Sequence, residues 1–99
     1  MSRHLRLHPE AQRELAEAAA YYEAESPGLG DVFVARVERA FASVLAFPEA
    51  CPGSRRSLRI KVLEAFPYSV HYAILTDEVV LVLSLAHHSR RPFYWDERL

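Results

Sequence analysis

The residues whose types can do chemistry gather near the C-terminal end, in the stretch HHSRRPFYW at residues 87–95. Histidine and tyrosine can transfer protons, and arginine binds phosphate or carboxylate groups through paired hydrogen bonds. Arg59 and Lys61 form a second basic pair on a predicted strand. Such a set can bind an anion or stabilise the charge that develops on phosphate during RNA cleavage. A merely solvated, charged sheet face is the competing interpretation.

A metal site is not expected from this cluster. His87 and His88 are adjacent, and adjacent strand residues face opposite sides of a sheet, so they are poor ligands for one ion. Cys51 is the only cysteine, which excludes an internal disulfide and a zinc site built from several cysteines. We therefore expect no metal and no cofactor.

Composition limits what the chain can be. Its 99 residues are expected to form one domain, spanning 1–99. The formal net charge is −1, which is not the field of a general nucleic-acid binder, so any anion recognition must be local. The sequence has no apolar run of about 18 residues that would span a membrane and no apolar signal-peptide core, so we expect a cytoplasmic protein.

The first half of the chain is predicted to be a strand followed by a helical hairpin. In RHLRLH, residues 3–8, apolar and polar residues alternate as in a half-buried strand. The first helix covers residues 9–26, and Glu14 is expected to lie mostly off its apolar stripe. That stripe consists of Ala11, Leu15, Ala18, Ala19 and Tyr22. Tyr21 is expected in the core or at the helix interface.

A second helix is predicted to follow at once. Ser26 is a good N-cap and Pro27 a good first helical residue, and Pro48 ends the helical pattern. Its apolar positions are Phe33, Val37, Ala40, Phe41 and Val44.

Three strands are predicted after a loop over residues 48–57. In LRIKVLE the alternation puts Arg59 and Lys61 on the face opposite Leu58, Ile60 and Val62. YSVHYAIL alternates in the same way, and VVLVLSLA is apolar on both faces, which indicates a central strand. The predicted fold is α+β, ordered β-α-α-β-β-β, with the hairpin on one face of a small, mostly antiparallel sheet.

This arrangement leads to two expectations about side chains. Antiparallel strands in near register would place Arg59, Lys61, His71 and the 87–95 cluster on one surface. Trp95 is expected to pack back onto the sheet as a lid.

Taken in order, these segments resemble a known family. PEAQRELAEAAAYYEAESPGLGDVF, LRIKVLEAFPYSVHYAIL and DEVVLVLSLAHHSRRPFYWDER are similar to the toxins of RelE/ParE-family type II toxin–antitoxin systems, also called plasmid stabilisation proteins. The resemblance implies a two-helix, curved-sheet fold and a cognate antitoxin that binds the toxin in a hetero-oligomer. RelE-like members cut mRNA in the ribosomal A site, whereas ParE-like members poison DNA gyrase.

The resemblance can be followed residue by residue. Arg59 and Lys61 match the basic strand pair of RelE-like toxins, Tyr94 matches their C-terminal aromatic base, and His88 or Arg90 matches the basic residue before it. Ser69 stands where those toxins are expected to have an arginine. The ending HSRRP followed by an aromatic residue is more similar to ParE-like toxins.

Three hypotheses follow from this comparison. A ParE-like toxin would bind gyrase without chemistry of its own, using Arg59, Lys61, Arg90 and Arg91 as a target- or phosphate-binding surface. A RelE-like endoribonuclease would use Tyr94 or His88 as the base, with Arg59, Lys61 and Arg90 stabilising phosphate charge. A non-toxic member would only bind its antitoxin. The ParE-like hypothesis is favoured, and whether the protein is an enzyme stays open.

Overall fold

The computed structural model describes residues 3–51, 53, 58–91 and 94–98. Its elements follow the predicted order: β1 His4–Leu7, α1 Pro9–Glu25, α2 Leu29–Ala46, β2 Leu58–Val62, β3 Tyr68–Ile74, β4 Val79–His87 and a short 3₁₀ helix Asp96–Arg98. None of the helices in this described part of the chain is long and apolar enough to cross a membrane.

The four strands form one open, mixed sheet in the order β1-β4-β3-β2. β2, β3 and β4 make the predicted antiparallel meander, and β1 pairs with β4 in parallel. β4 therefore lies inside the sheet, as its apolar residues on both faces indicate. The predicted α+β architecture is confirmed.

The helical hairpin packs on one face of the sheet, which we call the helix face. Phe33 and Val37 of α2 are fully buried there against Val70, Tyr72 and other core residues. The rings of Tyr22, Phe33, Phe66 and Tyr68 add an aromatic cluster. Tyr21 does not join the core: its side chain is 59% exposed and its ring makes a T-shaped contact with the Tyr22 ring, so its predicted burial was wrong.

A smaller core lies on the opposite sheet face, which we call the outer face. Leu58, Ala73, Leu83 and Ala86 are buried there beneath Trp95, which is itself only 6% exposed. The Trp95 ring stacks on the His71 ring, with centroids 3.6 Å apart. The predicted lid is confirmed, and it explains why residues on both faces of β3 and β4 are buried.

The link between the helices differs from the prediction. Ser26 ends α1 rather than starting α2, and α2 begins at Leu29 after Gly28, whose φ of 88° is left-handed. The Glu23 carboxylate accepts hydrogen bonds from the N–H groups of Gly28 and Gly30 at 3.0–3.1 Å. A carboxylate from the preceding helix thus satisfies amides that a serine cap would otherwise bind.

β4 contains an irregularity that changes which side chains face the helices. Tyr72 pairs with Val82 and His71 pairs with Ser84, so Leu83 is an extra residue in β4. Such a bulge reverses the alternation of the strand. Val82 lies in the helix-face core, and Leu83 and Ser84 both lie on the outer side, facing the lid and His71.

Candidate functional site

The two basic residues of β2 lie on the helix face. Arg59 pairs with Tyr72 and Lys61 pairs with Val70, and both of those partners belong to the helix-face core. Because directly paired residues in an antiparallel sheet project to the same side, Arg59 and Lys61 do so too. His71 pairs with Ile60 and faces the outer side, where it meets Trp95. The expectation that Arg59, Lys61 and His71 share one surface was therefore wrong.

Arg59 is hydrogen-bonded to the chain segment that follows α2. Its guanidinium donates hydrogen bonds to the carbonyls of Glu49, at 3.1 Å, and Cys51, at 2.9 Å. The hydroxyl of Tyr72 donates to the carbonyl of Pro48 at 2.6 Å. Together these two side chains hold the start of the loop that leads to β2, so the geometry gives Arg59 a structural task.

The C-terminal segment is attached to the rest of the protein through a buried carboxylate. Glu14 of α1 is only 7% exposed, so the expectation that it lies off the apolar stripe was wrong. Its oxygens accept hydrogen bonds from the Tyr94 hydroxyl at 2.6 Å, from the Arg98 guanidinium at 2.9 and 3.1 Å, and from the Leu85 N–H at 3.1 Å. One side chain thus joins α1, β4 and the C-terminal segment.

The position of this network follows from the shortness of β1. The register ends where Leu7 pairs with Val82, and within the described residues no strand lies beside the later part of β4 on that edge. Arg98 donates to the Leu83 carbonyl at 2.9 Å, and Glu14 accepts from the Leu85 N–H. Side chains therefore satisfy backbone groups that a longer β1 would have bonded.

The network also determines the chemistry open to Tyr94. Burial raises the pKa of the Tyr94 hydroxyl, and the adjacent Glu14 carboxylate raises it further because it accepts the phenolic proton. The guanidinium carbons of Arg90 and Arg98 lie 4.0 and 5.0 Å from the Tyr94 ring centre. Tyr94 is therefore held as a neutral hydrogen-bond donor between two cations.

A cleft of about 270 Å³ opens on the outer face beside Trp95. Within it, Ser69 Oγ and His88 Nε2 lie 2.9 Å apart, and His71 Nδ1 lies 2.9 Å from Ser84 Oγ. The lining residues are Ile60, Ser69, His71, Ala86, His87, His88, Arg90 and Trp95. The lining of the cleft is mainly apolar, and these hydroxyl and imidazole groups are polar points within it.

His71 is uncharged in this setting. Burial lowers its pKa from 6.5 to about 4, an effect partly opposed by Glu14 and reinforced by His88. The ring is held between the Ser84 hydroxyl and the face of Trp95. His71 is therefore a packing partner of the lid at neutral pH.

Comparison with known proteins identifies the family. A family model described as the ParE toxin of the type II toxin–antitoxin system parDE matches residues 5–92. The chain belongs to the ParE toxin family. It is thus a toxin of the type II toxin–antitoxin class, as the sequence resemblance implied.

Comparisons with individual proteins add evidence about the fold. No curated protein sequence matches the chain. Among solved structures, a chain of the "Chromosomal ParDE TA system from P. aeruginosa" is similar, with a TM-score of 0.62 and 14% sequence identity. The match covers 87% of this toxin and 96% of that chain. At this identity the similarity concerns the fold.

The toxin brings together some of the predicted site residues and separates others. Arg90 lines the outer-face cleft with His88 and also stacks on Tyr94. Arg59 and Lys61 are not part of this group, because they project from the helix face. Arg91 is exposed beside it. Arg55 and Arg56, which the sequence placed in a loop, lie outside the described residues.

The two adjacent histidines diverge as predicted. The His87 ring meets the Tyr68 ring edge-on at 5.1 Å on the helix side, whereas His88 bonds Ser69 on the outer side.

Sequence reasoning missed Glu14 and Arg98, the two charged residues that anchor the toxin's C-terminal segment. A signal for Glu14 was present, because it lies three residues after Ala11 and four before Ala18, within the stripe that faces the core. A glutamate at such a position must have a buried partner. Nothing in the local sequence around Arg98 indicates that it is this partner.

Proposed function

We propose that this toxin binds and inhibits DNA gyrase and that a cognate antitoxin neutralises it in a toxin–antitoxin hetero-oligomer. Family membership supports the toxin role. The similar P. aeruginosa structure belongs to a ParDE toxin–antitoxin system, which supports an antitoxin partner. The site of action in this proposal is the cytoplasm, where gyrase acts on DNA, and residues 1–99 act as one toxin domain without a cofactor.

One observation supports inhibition by binding over ribonuclease chemistry. Cleaving RNA requires a base and several cations around one phosphate, all within hydrogen-bonding reach of the reacting atoms. Here Arg59 and Lys61 project from the helix face of β2, which is an edge strand. Tyr94 bonds Glu14 beside β4, and His88 lines the outer-face cleft. This separation disfavours a single phosphate site that uses all of these residues.

The protonation state of Tyr94 also supports inhibition by binding over ribonuclease chemistry. A general base must accept a proton, but the Tyr94 hydroxyl donates its own proton to Glu14, and its pKa is raised. We assign Tyr94 to positioning the C-terminal segment. Arg90 and Arg91, which are exposed on that segment, are then the residues that contact the target.

Controlled expression in bacteria tests this proposal. The wild-type toxin should arrest growth and induce an SOS reporter while cellular mRNA stays intact. Arg90→Glu with Arg91→Glu should weaken both effects, whereas Arg6→Glu, a single charge reversal on exposed β1, should not. Codon-dependent mRNA cuts without SOS induction would support the RelE-like alternative. Normal growth with a soluble, folded toxin would support the antitoxin-binding, non-toxic alternative.

A further inference from the structure

We infer that the outer-face cleft beside Trp95 binds a small aromatic carboxylate. The rings of this ligand would pack on the apolar lining, and its carboxylate would accept hydrogen bonds from Arg90 and from the pair formed by Ser69 and His88. The inference goes beyond the proposed function, and it requires neither gyrase nor an antitoxin.

The cleft lies where the outer face of the sheet carries its smallest side chains. Ser69 and Ala86 are direct partners across β3 and β4, and they are 6% and 4% exposed. In the adjacent pair of residues, His71 faces Ser84 and carries the stacked ring of Trp95. Because directly paired residues project to the same side of a sheet, the floor formed by the two small residues lies below the edge of the lid.

Most of the cleft lining is apolar. Ile60, Ala86 and the Trp95 ring border it. A concave, mainly apolar site with a few polar groups is typical of small-molecule binding, and aromatic rings pack on one another edge-on or offset. An apolar cavity of about 150 Å³ can hold one benzene molecule. The cleft, at about 270 Å³, therefore has room for two fused rings and a carboxylate.

The polar groups of the cleft can donate a hydrogen bond to such a ligand. Ser69 Oγ and His88 Nε2 lie 2.9 Å apart. A hydroxyl and a neutral imidazole carry one O–H and one N–H, and the bond between them uses only one of these two protons. Within the described residues neither side chain has a second hydrogen-bond partner. One donor of the pair is therefore left for an acceptor such as a carboxylate oxygen.

Arg90 gives the cleft its charge. Its guanidinium carbon lies 4.0 Å from the centre of the Tyr94 ring, a contact that leaves the positive charge without a counter-ion. In the part of the chain that the structure describes, Arg90 has no ion pair, and none of the residues that line the cleft is acidic. Glu14, whose charge acts on His71, is itself paired with Arg98 at 2.9 Å. An arginine without an acidic partner beside an apolar cleft favours an anionic ligand.

Two other classes of ligand fit less well. A nucleotide would extend beyond the cleft, and its phosphate would meet a single arginine there, because Arg59 and Lys61 project from the helix face. An organic cation would pack on the apolar lining but would be repelled by Arg90.

Nuclear magnetic resonance of the ¹⁵N-labelled toxin tests the inference with 2-naphthoate as the probe. The expected result is saturable shifts of the Trp95 indole N–H and of the Ser69 and His88 amides, with a Kd on the order of 1 mM or tighter. The alcohol 2-naphthalenemethanol has the same rings without the charge and should bind about tenfold more weakly. Acetate, which lacks the rings, and protonated 2-naphthylmethylamine should give no saturable shifts.

Two adjacent arginines provide matched variants. Arg90→Gln should weaken the binding of 2-naphthoate about tenfold, and Arg90→Lys should retain most of it. Arg91→Gln removes the same charge from a residue that does not line the cleft and should leave the Kd unchanged. The amide spectrum of each variant shows whether it is folded.

Several results would overturn the inference. These are shifts that do not saturate, equal binding of the alcohol, an equal loss of binding in Arg91→Gln and Arg90→Gln, and tighter binding of adenosine monophosphate at the same residues. Weaker binding of 2-naphthoate in Ser69→Ala and His88→Ala, each by a few-fold, would support the assigned position of the carboxylate.

Discussion

Replacing Glu14 with alanine should destabilise the toxin by about 3–5 kcal/mol, the usual cost of breaking a buried ion pair from one side. The change leaves three donors without their acceptor: the Tyr94 hydroxyl, the Leu85 N–H and part of the Arg98 guanidinium. Each buried donor left unsatisfied costs about 1–3 kcal/mol. Arg98 keeps its bond to Leu83 O and remains slightly exposed, which limits the total.

Urea denaturation measures this loss. Because Trp95 is the only tryptophan and sits in the lid, its fluorescence follows the C-terminal segment, while far-UV circular dichroism follows the helices. Glu14→Gln keeps a carbonyl acceptor but loses the charge, so its effect should be smaller. A double-mutant cycle with Arg98→Ala should give a coupling energy of about 1–3 kcal/mol.

The matched control is an exposed pair on the same helix. Arg13 bonds Glu10 and Glu17 on the solvent side of α1, so Arg13→Ala should leave the free energy of unfolding close to that of the wild type. If Glu14→Ala were no more destabilising than Arg13→Ala, Glu14 would not be the anchor of the C-terminal segment.

Two further predictions concern the packing of the lid and of the helices. His71 has a pKa of about 4 in the folded state against 6.5 when unfolded, so its contribution to stability is complete above pH 6.5 and is lost as the pH falls toward 4. The loss is on the order of 3 kcal/mol and should be smaller in His71→Gln. Denaturation across that pH range measures it. If the free energy of unfolding of His71→Gln depended on pH as steeply as that of the wild type, the prediction would be contradicted. Gly30→Ala places a methyl group 2.7 Å from the Ala19 carbonyl oxygen and should lower the free energy of unfolding by about 1–3 kcal/mol. If the variant were as stable as the wild type, α1 and α2 would be able to move apart there without cost, which would contradict the prediction.

The order of the elements could be predicted because each has its own apolar period. The alternation around Leu5 predicts β1, the helical repeat through Phe33 predicts α2, and the corresponding patterns of the other segments complete the β-α-α-β-β-β order. The start of α2 could not be predicted from the local signal at Ser26. The carboxylate of Glu23, in the last turn of α1, caps α2 instead. A long side chain that reaches across a turn is not visible in a local pattern.

The candidate site was less predictable than the fold for a related reason. Alternation correctly placed Arg59 and Lys61 on one side of β2, but it does not say which side packs against helices. Leu58 is buried on the outer face because the Trp95 lid provides a second core there. Which face each residue occupies depends on contacts between the two ends of the chain.

Purified toxin in two assays run side by side gives the most direct test of gyrase inhibition. One assay follows supercoiling and DNA cleavage by gyrase, and the other follows cleavage of mRNA in the A site of programmed ribosomes. We predict gyrase inhibition with intact mRNA, retained in Tyr94→Phe and reduced in Arg90→Glu with Arg91→Glu. Cuts in A-site mRNA with unaffected gyrase, abolished in Tyr94→Phe or His88→Ala, would contradict this prediction.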